Sequence, residues 1–227
     1  MEIGKVNSYW DMCSEEGASL QRGMNYRLHK TKNVILMSVR KNAPYADRIE
    51  ENGRVLIYEG HDVPKKLSAT PKVVNQEMYE ENKKLAQNGK FYEAAKRFKD
   101  GKQDAEIIKV YEKIRPNIWT YNGLFQLTDA WIEKTNSRNV FKFKLELIAN
   151  QQSENKVTEI EHTRLIPSAV KLEVWERDKG QCVLCGSKNN LHYDHDLPFS
   201  KGGSSLTAKN VRILCAKCNL KKHDKIE

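Results

Sequence analysis

Apolar residues fall in short runs along this chain, and the period of those runs changes from one region to the next. Asn33-Val-Ile-Leu-Met-Ser-Val-Arg40 is compact and β-rich, which predicts a buried strand. Glu51-Asn-Gly53 signals a turn, and Arg54-Val-Leu-Ile-Tyr58 reads as a second strand. Residues 63–74 read as loop. The spacing predicts a helix over Gln76 to Gln87, broken by Asn88-Gly89, and a second short helix over Phe91 to Phe98, ended by Asp100-Gly101. Ala105 to Glu112 alternates loosely. Ile118 to Trp131 reads either as a hairpin around Tyr121-Asn-Gly123 or as one strand bent there. From Phe141 to Leu147 apolar and charged residues alternate strictly, as in a half-exposed antiparallel strand. Residues 149–157 are polar with no core pattern. Pro167 to Arg177 then predicts a helix that stops before Lys179-Gly180. Residues 1–32 are polar, with a short helix expected over Glu15 to Arg22.

Composition narrows the class. The chain has 227 residues, enough for one large domain or two modest ones. Hydrophobic content is 39% and mean hydropathy is −0.73, so the expectation is a wet, highly charged protein with a limited core. No stretch approaches the ~20 apolar residues of a membrane span, and the first ten residues lack the apolar region of a signal peptide. A cytoplasmic protein without membrane attachment is expected. The formal net charge of +9 is spread over the chain, which favours a polyanionic partner, nucleic acid first.

There are five cysteines. Cys13 stands alone and reads as a free structural thiol. Cys182/Cys185 and Cys215/Cys218 form two CxxC pairs, which in a reducing cytosol read as thiolate metal ligands rather than disulfides. Four thiolates make a closed tetrahedral zinc site. A unit of about 60 residues around these cysteines builds little core, so a metal staple makes physical sense. Taken alone, the cysteines would describe a zinc-ribbon binding module without chemistry.

Between and after the pairs stand Asp194-His195, Pro198, Gly202-Gly203, Asn210 and Asn219. With the helix and the cysteines, this ordered set makes residues 167–227 resemble an HNH endonuclease domain, the ββα-metal fold. The resemblance implies that His195 is the general base for the attacking water, a task suited to a neutral imidazole. It implies that Asp194 holds the catalytic divalent cation, Mg²⁺ or Mn²⁺, with a hard oxygen, and that Asn219 is the second protein ligand. Asn210 would fix the His195 ring or its loop through its side-chain amide. The family often has His where Asn219 stands. His223, one helical turn later, is an alternative ligand, and Lys221 and Lys222 are placed to contact the DNA backbone or to form a solvated basic tail.

A second set of residues lies upstream. Tyr45 to Gly60, Glu81-Asn82 with Leu85-Ala86, and Val110-Tyr-Glu-Lys with Tyr121-Asn122-Gly123 resemble segments of an SRA (YDG) domain, a fold that flips a modified cytosine out of duplex DNA. Asn122 replaces the signature Asp, and Glu59 follows Tyr58 where a hydroxyl residue is common. The resemblance implies a base sandwich between Tyr45 and Tyr58, with Asp47 accepting from the exocyclic amine and Glu59 as a second polar candidate. The alternative is that both tyrosines are ordinary strand aromatics.

The expected architecture is therefore α+β. An N-terminal SRA/PUA-like curved sheet or barrel with helices spans residues 1–148. A linker follows at 149–166, then a ββα-metal domain with structural zinc at 167–227. The expected function is modification-dependent cleavage of double-stranded DNA carrying 5-methyl- or 5-hydroxymethylcytosine, with the linker setting the cut distance. Each unit has one general base, so a double-strand break implies a homodimer or two-site cooperation. Two rivals remain: an HNH nuclease of nicking or homing type that cuts unmodified DNA equally, and a non-catalytic reader whose zinc is only structural.

Overall fold

A computed structural model of the chain describes residues 2–135, 138–148, 165–196 and 207–222. Ten strands and four α-helices are formed among them. The larger sheet holds β2 (Met24–Leu28), β3 (Lys32–Met37), β6 (Ile107–Arg115), β7 (Ile118–Thr135), β8 (Arg138–Leu147), β5 (Val55–Glu59) and β4 (Arg48–Glu50), in that spatial order. Its pairs are antiparallel except β3–β6. The two-residue strand β1 (Val6–Asn7) joins β7 from the side. Helix α2 (Gln87–Lys99) covers β2, β7 and β8, and its Phe91, Ala94 and Ala95 complete a core with Ile35, Leu56, Phe125, Phe143 and Leu145. The smaller unit is the hairpin pair β9 (Leu191–His195) and β10 (Val211–Cys215), flanked by α3 (Ser168–Arg177) and α4 (Ala216–Lys222). Among the described residues, no helix is long and apolar enough to cross a membrane. The mixed α+β fold agrees with expectation, as do the strands around Val34, Leu56, Ile108 and Phe143 and the helix after Pro167.

The differences are local and have physical causes. The helix expected over 76–87 does not form; residues 76–86 make turns, including the bridge between Tyr79 and Leu85. The helix begins at Gln87 and runs through Asn88-Gly89. Asn88 is no breaker there, because its side chain accepts from the His61 N–H (2.8 Å) and donates to the His61 carbonyl (2.9 Å). Gly89 lets the chain at Met78 press on the first turn, where a Cβ would collide with the Met78 carbonyl oxygen. The helix expected over Glu15 to Arg22 lies earlier, as α1 (Tyr9–Glu16). Ser8 and Asp11 form its capping box, and Gly17 ends it in the left-handed conformation. Strands β2 and β4 were not expected. Strand β2 does alternate, with Met24, Tyr26 and Leu28 apolar and Asn25 and Arg27 polar, but over only five residues inside a stretch read as polar; β4 has three residues and one apolar position.

Tyr121-Asn-Gly123 is the bend rather than the hairpin. β7 continues through it as one strand of 18 residues. Its register against β6 shifts between Val110/Gly123 and Tyr111/Tyr121, which leaves Asn122 as the extra residue of a bulge beside Gly123 at φ +107°. The turn itself falls at Asn117, with φ +62°. Of the expected linker, 149–164 lies outside the described residues. Its last two residues are buried: Leu165 belongs to the larger core and Ile166 to the core of the smaller unit.

Candidate functional site

The four cysteines converge as the spacing requires. Their Sγ atoms lie within 4.8 Å of one another, with Cys185 and Cys215 3.6 Å apart. A tetrahedral zinc with Zn–S of ~2.3 Å needs sulfurs ~3.8 Å apart, so the cage is positioned to bind a metal of that kind. Burial would raise the Cys182 thiol, but N–H groups of Cys215, Cys185 and Leu184 outweigh it and bring it down to about 6, favouring the thiolate that metals bind. Cys182 and Cys185 lie on the turn before β9, and Cys215 and Cys218 straddle the junction of β10 and α4. The staple therefore joins both ends of the hairpin to the helix.

Asp194 and His195 end β9, opposite Arg212 and Val211 of β10. Asn210 sits just before β10, and its backbone carbonyl accepts from the Asp196 N–H at 2.9 Å, a main-chain bond that ties down the chain after His195 whatever the side chain does. Burial holds the His195 imidazole below its ordinary pKa; Asp194 raises it and Lys222 lowers it further. Lys222 is turned inward, its ammonium on the Asp194 carboxylate and the His195 carbonyl. Of the two lysines expected on the DNA backbone, Lys221 is exposed and Lys222 is buried, because the Asp194 carboxylate captures the nearer cation. Asn219 lies one helical turn before Lys222 on the same side of α4, at the i, i+3 spacing that makes neighbours. His223, Pro198 and Gly202-Gly203 lie outside the described residues.

Two residues that carried no spacing signal brace this end of the hairpin. The Arg177 guanidinium donates to the carbonyls of Ala208 and Val211 on either side of Asn210, both at 2.6 Å. Asp178 accepts from the Ile213 N–H at 2.8 Å and pairs with Arg177.

The second candidate site is at the edge formed by β4 and β5. Asp47 ties this edge together: its carboxylate accepts from the Glu59 and Ser38 N–H groups, both at 3.0 Å. Burial lifts its pKa to about 6, with Glu59 adding and the N–H groups and Lys142 opposing. The half-buried Tyr45 ring faces His61, with centroids 6.4 Å apart and planes tilted by 33°. That is close to the ~7 Å a flat ring needs between two aromatic walls, at ~3.5 Å per contact. The Lys72 ammonium lies 3.8 Å from the Tyr45 centroid and bonds Asp62 at 2.6 Å. Tyr58 is 2% exposed and packs in the main core, with its hydroxyl close to Gly23. The structure thus brings Tyr45 opposite His61, while the Tyr58 ring lies behind them in the core.

Glu59 is not free to read a base in this arrangement. It is bound by Lys142 (2.8 Å) and Arg138 (3.2 Å), and Arg138 also pairs with Asp62 (2.6 Å). This chain of buried charges runs from β5 to β8 beneath Tyr45. His61 accepts from the Met24 N–H at 2.9 Å, and burial lowers its pKa to about 4, so it is a neutral ring. His61, Arg138 and Lys142 were missed by sequence reasoning. Their partners lie far away along the chain, and only the His after Gly60 gave any local hint.

Two family models match the chain. The SAD/SRA domain model matches residues 1–151 and the HNH endonuclease model residues 182–225. No curated protein matches the sequence. Among solved structures, the SUVH5 SRA–hemi-methylated CG DNA complex is 23% identical with a TM-score of 0.47, the match covering 69% of this chain and 94% of that one. SUVH5 SRA bound to fully hydroxymethylated CG DNA is 23% identical with a TM-score of 0.48, covering 69% and 95%. Arabidopsis thaliana SUVH6 in complex with SAM is 22% identical with a TM-score of 0.41, covering 67% and 27%. The chain belongs to the SAD/SRA domain family and carries an HNH endonuclease domain at its C-terminal end.

Proposed function

We propose that this protein is a modification-dependent DNA endonuclease. The observation that carries the reading is the presence in one chain of an SAD/SRA domain with an aromatic slot over buried charge and an HNH hairpin ending in Asp194-His195. The first domain extrudes a modified cytosine, 5-methyl or 5-hydroxymethyl, from double-stranded DNA. Extrusion costs a few kcal/mol, which stacking and edge hydrogen bonds must return. Tyr45 supplies a stacking face, His61 faces it, Tyr58 backs the slot, and Asp47 offers carboxylate lone pairs to the exocyclic amine. Glu59 keeps the floor charged and ordered through Lys142 and Arg138.

The second domain hydrolyses a nearby phosphodiester. His195 takes the proton from the attacking water. Asn210 holds the chain that follows His195, and Lys221 is free to meet backbone phosphate. The four cysteines hold structural zinc. Asp194 and Asn219 would hold a catalytic Mg²⁺ or Mn²⁺, with His223 as the alternative to Asn219, and such an ion would stabilise charge on the phosphate and leaving oxygen. The fit is supported by Asp194 itself: its carboxylate already gathers a cationic group, the Lys222 ammonium, at the end of the sheet. One base per chain cuts one strand, so a double-strand break calls for a homodimer or two chains at neighbouring marks.

The test uses a duplex with one 5-methylcytosine, with Mg²⁺ or Mn²⁺. Wild-type protein should cut it, and His195→Ala should bind it with unchanged affinity while cutting at least ~100-fold more slowly, as loss of a general base implies. Undiminished cutting by His195→Ala would remove His195 from its assigned role.

A further inference from the structure

The smaller unit is joined to the larger sheet by more than the chain between them. On α3, Lys171 reaches back to β6 and β7. Its ammonium lies 2.7 Å from Glu112 and 2.8 Å from the Asn122 side-chain carbonyl. Asn122 donates its other end to Glu112 at 3.0 Å, and Ser168 bonds the second Glu112 oxygen. Lys171 is 2% exposed, and Glu112 and Asn122 are fully buried. An ion pair this dry is maintained only where its remaining hydrogen bonds are satisfied; here Lys171 and Ser168 reach Glu112 across the junction, and Asn122 completes the set from β7. The amide is required at position 122. An aspartate there would set a second carboxylate against Glu112 with one ammonium between them, whereas Asn122 accepts from Lys171 and donates to Glu112 at once. The β7 bulge is what frees Asn122 for this position.

The N-terminal segment makes a second joint. Gly4 donates to the Tyr121 carbonyl and Lys5 accepts from the Tyr121 N–H, both at 2.9 Å, while the Gly4 carbonyl accepts from the Tyr193 N–H at 3.1 Å. Residues 4–7 are thus strung between β7 of the larger sheet and β9 of the nuclease hairpin. Gly4 has φ +87°, and a Cβ there would press on the Tyr193 carbonyl. The third joint is Leu165, seated in the larger core against Gly53.

We propose that Lys171, Glu112 and Asn122, with the Gly4–Asn7 segment, are positioning residues that fix the nuclease rigidly on the reader, so that this junction, and not the length of residues 149–164, determines where DNA is cut relative to the modified base. This rests on the reading of the chain as a modification-dependent nuclease. β9, which carries Asp194 and His195, is the strand held by Gly4, and Tyr193 on it donates its hydroxyl proton to the Lys171 carbonyl at 2.9 Å. The strand bearing the catalytic pair is therefore bonded to both joints.

Two measurements on the full chain test it. In the first, about ten Gly/Ser residues are inserted between 156 and 157. They add up to ~33 Å of reach, about ten base-pair steps of ~3.4 Å. Cuts are mapped on a duplex with a single modified cytosine. The junction account expects the cut position unchanged, and a tether expects it to shift or spread over about ten steps. In the second, a protease site replaces residues within the same segment, and the cleaved protein is passed over a sizing column. Co-elution of the two fragments supports the proposal; separation overturns it. The isosteric double variant Glu112→Gln/Lys171→Met should release the cleaved fragments and spread the cuts, and fragments that stay together in it would remove the ion pair from the role. If that variant does not fold, the insertion and the cleaved wild type still decide. If the wild type cuts no DNA, the functional reading fails, while co-elution still decides the junction.

Discussion

Tyr45 is half-buried, carries the Lys72 ammonium on its ring and faces His61. A base entering this slot gains an aromatic stack worth ~1–3 kcal/mol. Tyr45→Ala should therefore weaken binding of a methylated duplex by ~5- to 150-fold, while sequence-independent binding to unmodified duplex changes little. Fluorescence anisotropy on the two duplexes measures both; equal losses on each would show that Tyr45 does not stack on the base. Asp47 gives a pH dependence. Its folded pKa of about 6 stands above the ordinary 3.8, so its ionisation opposes folding, and the stability it permits is present below 3.8 and lost as pH rises through about 6. Binding runs the other way, since an amine donor needs the carboxylate. Affinity for the modified duplex should fall as pH drops through about 6, and Asp47→Asn should flatten that profile. A wild-type profile already flat from pH 5 to 8 would contradict the role. Asp47 and Tyr45 stand out in the sequence only through a resemblance to a known pattern, and the structure puts both near the edge formed by β4 and β5. The charges beneath them do not stand out. Arg138 and Lys142 meet Glu59 only after β8 pairs with β5, and no local pattern announces that pairing.

At the scale of elements, the sequence was most legible where one constraint dominates. The two CxxC pairs leave little freedom, and the cage forms at the predicted place. Strict alternation placed β8, and Pro167 placed the start of α3. Reading failed where packing overrode a local signal. Asn88-Gly89 looks like a helix stop but forms a helix start, since Asn88 is saturated by His61 and Gly89 admits the chain at Met78. Strand β4 is a three-residue edge strand held by pairing, and β2 alternates Met24, Tyr26 and Leu28 over too short a run to stand out among the polar residues around it. The small unit has a small core, drawn from Ile166, α3, Cys182, β9, β10 and Ala208 with Val6 packed against it; a metal held by the four cysteines would add its binding energy to folding. Stripping the metal with a chelator should abolish cleavage and melt the β9–β10 hairpin, while base-specific binding by the larger domain survives. Metal content, circular dichroism and binding assays on the stripped protein check this; cleavage that persists without zinc would contradict it.

For the whole molecule, the excess of 39 basic over 30 acidic residues supplies attraction to any DNA, weakening steeply with salt. Charge therefore brings the protein to duplex without choosing a site. In the proposed reading the slot at Tyr45 makes the choice, and that choice governs the HNH hairpin in the same chain. The most direct measurement is cleavage of one plasmid in three forms, unmodified, cytosine-methylated and hydroxymethylated, with Mg²⁺ or Mn²⁺ at physiological salt. The account predicts that one or both modified forms are cut and that the unmodified form stays intact. Equal cutting of all three forms would contradict it, leaving an HNH nuclease whose SAD/SRA domain does not select the target.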